Sequence, residues 1–154
     1  MELGMIGLGR MGGNMAQRLL RAGHKVVAYD PQAEAVQSLA NEGAVEANSL
    51  ANLIEQLTPP RAVWVMIPAG DPTETTINTL ADSLSPGDAI IDGGNSNYKD
   101  SMRRASALAA RGLTFLDAGT SGGVWGLKEG YSLMVGGDAA TFLRLEPIFQ
   151  TLAP

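Results

Sequence analysis

Gly7-Leu8-Gly9-Arg10-Met11-Gly12 follows a short apolar run, Leu3 to Ile6, and opens a helical pattern that continues to Ala22. A G-x-G-x-x-G spacing between a strand and a helix reads as the phosphate-binding turn of a dinucleotide-binding fold. Each glycine has a physical task. Gly7 permits the tight turn out of the strand, Gly9 lets a pyrophosphate approach the backbone, and Gly12 lets the helix pack close to the sheet. The helix then offers unpaired N–H groups and its positive dipole end to the phosphates. A second apolar run, Lys25 to Tyr29, ends in Asp30. An acid roughly 20 positions beyond the turn is placed to hold the adenosine ribose hydroxyls.

The alternation of strand and helix continues outward from this unit. Pro31 to Glu42 reads as a helix with Val36, Leu39 and Ala40 inward, and Gly43-Ala44-Val45 as a short strand. Asn48 or Ser49 caps a helix over Leu50 to Leu57, which Pro59 and Pro60 end. Ala62 to Ile67 is continuously apolar, as a central parallel strand should be. Pro68-Ala69-Gly70 then lies at its carboxyl end, where open α/β sheets bind ligands. Asp71 or Thr73 caps a helix through Leu84, and Ala89-Ile90-Ile91 is the next strand.

Two more glycine-bearing stretches stand at strand ends. Asp92-Gly93-Gly94-Asn95-Ser96 reads equally as a ligand loop or as a Gly-rich turn with a helix cap. The helix after it, Tyr98 to Ala110, turns Met102, Ala105, Leu108 and Ala109 inward and shows Lys99, Arg103 and Arg104 as a solvated basic face. Leu113 to Leu116 is a strand leading into the loop Asp117 to Gly123. Tyr131 to Val135 is a further strand, and Asp138 caps a last helix through Leu152. Trp125 and Tyr131 are read as core, and His24, the only histidine, as a solvated turn residue. The fold class expected is α/β: a Rossmann-type doubly wound parallel sheet. The short return from Leu116 to Tyr131 lacks a crossover helix, so it adds an edge strand with antiparallel geometry open to it.

The 154 residues suit one domain with a full core. The net charge of −5 argues against nucleic acid as a partner. Cysteine is absent, so thiolate metal sites and disulfides are too, and no metal is expected. No apolar run has the length of a membrane span and no signal-peptide pattern opens the chain, which fits a cytoplasmic protein. The ending Leu152-Ala153-Pro154 reads as a cut at a domain boundary.

At Asp92 to Ser96 and Ser121-Gly122-Gly123 the chain resembles the decarboxylating 6-phosphogluconate dehydrogenase family. The resemblance covers the whole chain, 1–154, as that family's dinucleotide-binding domain. Gly7 to Gly12, Met66 to Gly70, and Ser132-Leu133-Met134 before Gly136-Gly137 fall in the family order. The wider β-hydroxyacid dehydrogenases share the turn and the Ser-Gly-Gly loop; the Asp-Gly-Gly-Asn-Ser stretch narrows the likeness.

The resemblance implies that Gly7, Leu8, Gly9, Arg10, Met11 and Gly12 hold the pyrophosphate of NAD and that Asp30, Pro31 and Gln32 sit at the adenosine ribose. It implies that Ile67, Pro68 and Ala69 line the cofactor and that Asn95 touches both cofactor and substrate. It further implies that Ser121, Gly122 and Gly123 hold the substrate, 6-phosphogluconate. That sugar acid is oxidised at C3, loses carbon dioxide, and leaves as ribulose 5-phosphate. The lysine base and glutamate acid of the family fall beyond Pro154, so no catalytic residue is assigned here, and Lys128 does not correspond to that lysine. The resemblance implies that the family's all-helical C-terminal domain is absent from this chain, and that the full-length enzyme is a homo-oligomer, a dimer. Many members carry Asn-Arg-Thr after the second strand and use NADP, whereas Asp30-Pro31-Gln32 here points to NAD. The alternatives are another β-hydroxyacid dehydrogenase, of the 3-hydroxyisobutyrate or tartronate semialdehyde type, and a nucleotide-sensing module without catalysis.

Overall fold

Each continuous apolar run becomes a strand in the computed structural model, which describes residues 1–154. The strands are β1 (Glu2–Ile6), β2 (Lys25–Tyr29), β3 (Val45–Glu46), β4 (Ala62–Val65), β5 (Ala89–Asp92), β6 (Thr114–Ser121) and β7 (Ser132–Gly137). They form one sheet in the order β3-β2-β1-β4-β5-β6-β7. All neighbours are parallel except β6 and β7, which are antiparallel. The sheet is therefore doubly wound, with the added edge strand running against the rest. The chain builds from β1 out to β3, returns, and builds the other way from β4. That reversal leaves a crevice beyond the carboxyl ends of β1 and β4, where ligands of such sheets sit.

The helices are α1 (Arg10–Arg21), α2 (Ala33–Ala40), α3 (Leu50–Glu55), α4 (Asp71–Ser83), α5 (Tyr98–Ala109), α6 (Gly126–Glu129) and α7 (Ala139–Leu152). Because successive strand residues point to opposite faces, both faces of an apolar strand need cover. On one face Leu3, Met5, Trp64 and Ile91 pack with residues of α1, α2 and α7. On the other, Ile6, Val63, Val65 and Ile90 pack with α3, α4 and α5. No helix is long and apolar enough to cross a membrane.

Several boundaries differ from the sequence reading, each for a local reason. The helix expected from Pro31 begins at Ala33, because the Asp30 carboxylate accepts the Gln32 N–H and closes a turn first. Ser49, not Asn48, caps α3, accepting the Asn52 N–H. Neither Asp71 nor Thr73 caps α4. Its N-cap is Gly70 at φ +95°, and the Thr73 hydroxyl donates to the Pro68 carbonyl instead. The stretch Asp117 to Ser121 is not a loop but the second half of β6, paired with β7. His24 is half-buried rather than solvated, bonded through its two ring nitrogens to the Met1 ammonium and Thr151 Oγ1. Tyr131 is fully buried, but Trp125 is exposed.

Candidate functional site

At the glycine turn the protein's own packing demands two of the three glycines. A Cβ on Gly7, which has φ +91°, would stand 2.2 Å from the Met66 carbonyl oxygen, and one on Gly12 would stand 2.0 Å from the Gly7 carbonyl oxygen. Gly9 is different. Its φ is an ordinary −61°, and a Cβ there would meet nothing within 4 Å. Nothing in this chain forbids a side chain at Gly9; only a molecule lying on the turn would feel one. The start of α1 is equally open. No side chain caps it and no acid stands in its first turn, whereas Ser49, Asn97 and Asp138 close the starts of α3, α5 and α7. Free N–H groups at a helix start favour a phosphate. Gly9 and the uncapped α1 thus fit a dinucleotide pyrophosphate.

Asp30, at the end of β2, ties this turn to the adjacent strand. Its Oδ2 accepts the Leu8 N–H at 2.8 Å and its Oδ1 accepts the Gln32 N–H at 2.8 Å. Beside it lies a groove of about 470 Å³ whose wall includes Asp30, Pro31, Glu46 and Asn48. Two carboxylates and no lysine or arginine line it.

The turns after β4 and β5 meet backbone to backbone. A Cβ on Gly94 would stand 2.5 Å from the Ile67 carbonyl oxygen, and one on Gly93 would stand 2.3 Å from the Trp64 indole nitrogen. Asn95 is the only non-glycine residue with positive φ, at +57°, and its side chain is exposed over Gly119 of β6, where a Cβ would lie 3.9 Å from its Oδ1. Beneath it, Asp92 is fully buried. The carboxylate accepts the Gly94 N–H through Oδ1 and the Ser96 hydroxyl through Oδ2. Arg104 reaches the same Oδ2 at 3.3 Å and the Ser96 hydroxyl oxygen at 3.0 Å. Its Nε donates to Glu74 of α4 at 2.7 Å, and Glu74 also takes two bonds from Arg103. These two guanidinium groups hold the Glu74 carboxyl down, at about 2.

Ser121 ends β6, which runs four residues past the Asp92–Asp117 pair. At about 3.3 Å per residue, Ser121 stands roughly 13 Å beyond that level. Gly122 and a 3-10 turn, Gly123–Trp125, follow it and lead into α6. The buried ring of Tyr131 underlies this segment: a Cβ on Gly122 would stand 2.7 Å from it and one on Gly126 2.1 Å. From α1, the Arg18 guanidinium donates to the carbonyls of Leu127 and Lys128 in α6 and of Thr151 and Ala153 at the end of α7. Asp117, level with Asp92, has its carboxyl pushed up by burial and by the Asp92 charge, with Arg104 pulling the other way.

Residues 2–154 match the family model described as the NAD binding domain of 6-phosphogluconate dehydrogenase. The chain belongs to that family. Over 99% of its length it is 46% identical to the NAD(+)-dependent, decarboxylating 6-phosphogluconate dehydrogenase of Haloferax volcanii, of which it covers 50%. It superposes with a TM-score of 0.91 on Plasmodium falciparum 6-phosphogluconate dehydrogenase, a protein solved in its apo form, in complex with its cofactor NADP+ and in complex with its substrate 6-phosphogluconate. That match is 29% identical and covers 100% of this chain and 34% of the other. Mycobacterium tuberculosis 3-hydroxyisobutyrate dehydrogenase gives a TM-score of 0.90 at 28% identity, covering 99% of this chain and 52% of the other. The chain thus spans about half the length, or less, of these relatives.

In this domain the fold brings the sequence-derived residues to one edge. Gly7 to Gly12, Asp30 to Gln32, Ile67 to Ala69 and Asn95 lie at the carboxyl ends of β1, β2, β4 and β5, and Ser121 ends β6 with Gly122 and Gly123 following it. The layer behind them differs from what the sequence suggests. Arg104 is not part of a solvated basic face; it is 3% exposed and paired to two acids. Met102 is 67% exposed and Ala109 is exposed too, while Ser101 and Arg104 face inward. The Ser96 hydroxyl donates to Asp92 and accepts from Arg104.

Proposed function

We propose that this chain is the cofactor-binding domain, with part of the substrate site, of an NAD-dependent 6-phosphogluconate dehydrogenase that converts 6-phosphogluconate to ribulose 5-phosphate and carbon dioxide. The observation that carries the reading is the acidic groove beside Asp30, whose carboxylate also holds the Leu8 N–H next to an open Gly9 on a turn that the rest of the chain keeps clear. Membership of the family supports the reaction, and the Haloferax volcanii relative is named as NAD(+)-dependent.

When bound, the nicotinamide cofactor accepts the hydride released from substrate C3. The chain's own residues bind and orient. Backbone N–H groups at the start of α1 hold the pyrophosphate, with exposed Arg10 beside them. Asp30 keeps lone pairs free on both carboxylate oxygens after its two backbone bonds and accepts from the ribose hydroxyls. Ile67, Pro68 and Ala69 form the wall against the cofactor. Asn95 presents one donor and one acceptor group between cofactor and substrate, and Ser121, Gly122 and Gly123 hold the substrate. The base that takes the C3 hydroxyl proton and the acid that protonates the enol are supplied by residues beyond Pro154.

A 2′-phosphate in place of the ribose hydroxyl would face Asp30 in a groove that Glu46 also lines. Like charges about 4 Å apart cost roughly 4 kcal/mol at an effective dielectric near 20, and less under solvent screening. Half of that still exceeds a tenfold difference in affinity.

The test is NADH formation from 6-phosphogluconate by this chain and by the longer protein carrying it, at equal concentration. Turnover by the longer protein and none by the chain agrees with the proposal. Turnover by the chain within tenfold would put the proton-transfer groups inside these residues, with Lys128 the first to mutate. Oxidation of 3-hydroxyisobutyrate in place of 6-phosphogluconate would favour the second enzyme class, which the Mycobacterium tuberculosis neighbour represents. NAD binding with no turnover of either would leave a nucleotide-sensing module.

A further inference from the structure

Asn95 holds a left-handed backbone conformation without glycine's freedom, and something must keep it there. The residues on either side of it are both bound to one buried group. Gly94 donates its N–H to Asp92 Oδ1 at 2.9 Å, and the Ser96 hydroxyl donates to Asp92 Oδ2. A buried carboxylate with no cation beside it is costly to keep. Arg104 is that cation, itself 3% exposed, and it grips both the carboxylate and the Ser96 hydroxyl oxygen. Its other edge binds Glu74 in the first turn of α4, the helix that follows Pro68 and Ala69. One guanidinium therefore braces the turns after β4 and β5 from behind, out of reach of any ligand.

We infer that Arg104 is a positioning residue for cofactor binding: through Asp92 and Ser96 it fixes Asn95 in its left-handed conformation. The inference rests on the reading that Asn95 touches the cofactor. Arg104 itself touches neither cofactor nor substrate. A lysine there reaches one acid but lacks the planar fork that serves Asp92, Ser96 and Glu74 together.

The experiment is a double-mutant cycle on this chain, titrated with NAD, using Asn95→Ala, Arg104→Lys and the pair, with amide hydrogen exchange at Gly94 read in parallel. Arg104→Lys is expected to weaken NAD binding about tenfold and to lower Gly94 N–H protection at least tenfold. Asn95→Ala is expected to weaken NAD binding by a similar factor, and adding Arg104→Lys to it should cost less than threefold more. If Asn95→Ala weakens binding but the pair loses the product of the two single effects, Arg104 does not act through Asn95 and this inference falls while the cofactor reading stands. If Asn95→Ala leaves NAD binding unchanged, the reading of Asn95 falls and the inference with it. Ser96→Ala, which removes one link and no charge, guards against misfolding of the lysine variant. It should lower Gly94 protection and NAD affinity in the same direction; an unchanged value of both overturns the inference.

Discussion

The Asp30 carboxylate reaches from the end of β2 to the Leu8 N–H in the glycine turn, 2.8 Å away, and does so with the oxygen that does not close its own turn at Gln32. The residue that the sequence suggests as a ribose ligand is therefore also a clasp between two strands' loops. A hydrogen bond to a charged group is worth roughly 1.5–3 kcal/mol. Asp30→Ala should weaken NAD binding by about tenfold or more, narrow the gap between NAD and NADP, and lower the melting temperature by roughly 4–10 °C. Asp30→Asn keeps one acceptor oxygen and should fall between. An unchanged melting temperature in Asp30→Ala would remove the clasp from the account.

Gly9 and Gly12 should separate binding from folding. Gly9→Ala adds a methyl into open space at an ordinary φ, so stability should stay within about 0.5 kcal/mol of the parent while NAD affinity drops by an order of magnitude or more. Gly12→Ala drives a methyl into the Gly7 carbonyl and should cost at least 1–3 kcal/mol, the range of core overpacking. Urea unfolding together with NAD titration reads both. Gly9→Ala with full NAD affinity would mean that no ligand lies on this turn.

His24 should give the fold a pH dependence near neutrality. Partial burial lowers its pKa, and the Met1 ammonium beside Nδ1 lowers it further. Nδ1 accepts from the ammonium, so the neutral ring carries its proton on Nε2 and donates it to Thr151 Oγ1. The unfolded chain then takes up the proton before the folded one does. The contribution is complete above the ordinary value of 6.5 and is lost as pH falls through the lower folded value. Melting temperatures from pH 7.5 to 5 should fall for the untagged parent and fall less for His24→Gln. Parallel curves would contradict it.

Glu74 should act in a more acidic window. Its folded pKa of about 2 lies below its ordinary value of 4.5, so its contribution is present above 4.5 and disappears between 4.5 and 2. Glu74→Gln should flatten the loss of stability in that window, and an unaltered acid profile would show that the Arg103 and Arg104 bonds contribute nothing.

The layer order follows from the sequence because the strand runs are apolar on both faces. Ala62 to Val65 and Ala89 to Ile91 have no polar side to give to water, which forces helices onto both faces of a parallel sheet. The short return to Tyr131 likewise announces the antiparallel edge, and each of the three ligand-edge stretches shows its glycines. Arg104 escapes the same reading. The buried positions of α5, Ser101, Arg104 and Leu108, follow helical spacing, but two of the three are polar. An apolar stripe sought in the sequence slides by one residue onto Met102, which the structure leaves exposed. An inward Arg104 becomes reasonable only once Asp92, twelve residues earlier, is known to be buried beneath it. Long-range charge pairing of that kind has no periodic signature. The Asp117–Ser121 extension of β6 is hidden for a simpler reason: Asp117 and Gly119 have low strand preference, and pairing with β7 overrides it.

Titration of this chain with NAD and with NADP under one buffer and salt condition tests the proposed cofactor assignment. Asp30, Glu46 and the absence of any cation in the adjoining groove predict NAD binding at least tenfold tighter than NADP. Equal or tighter binding of NADP would contradict it.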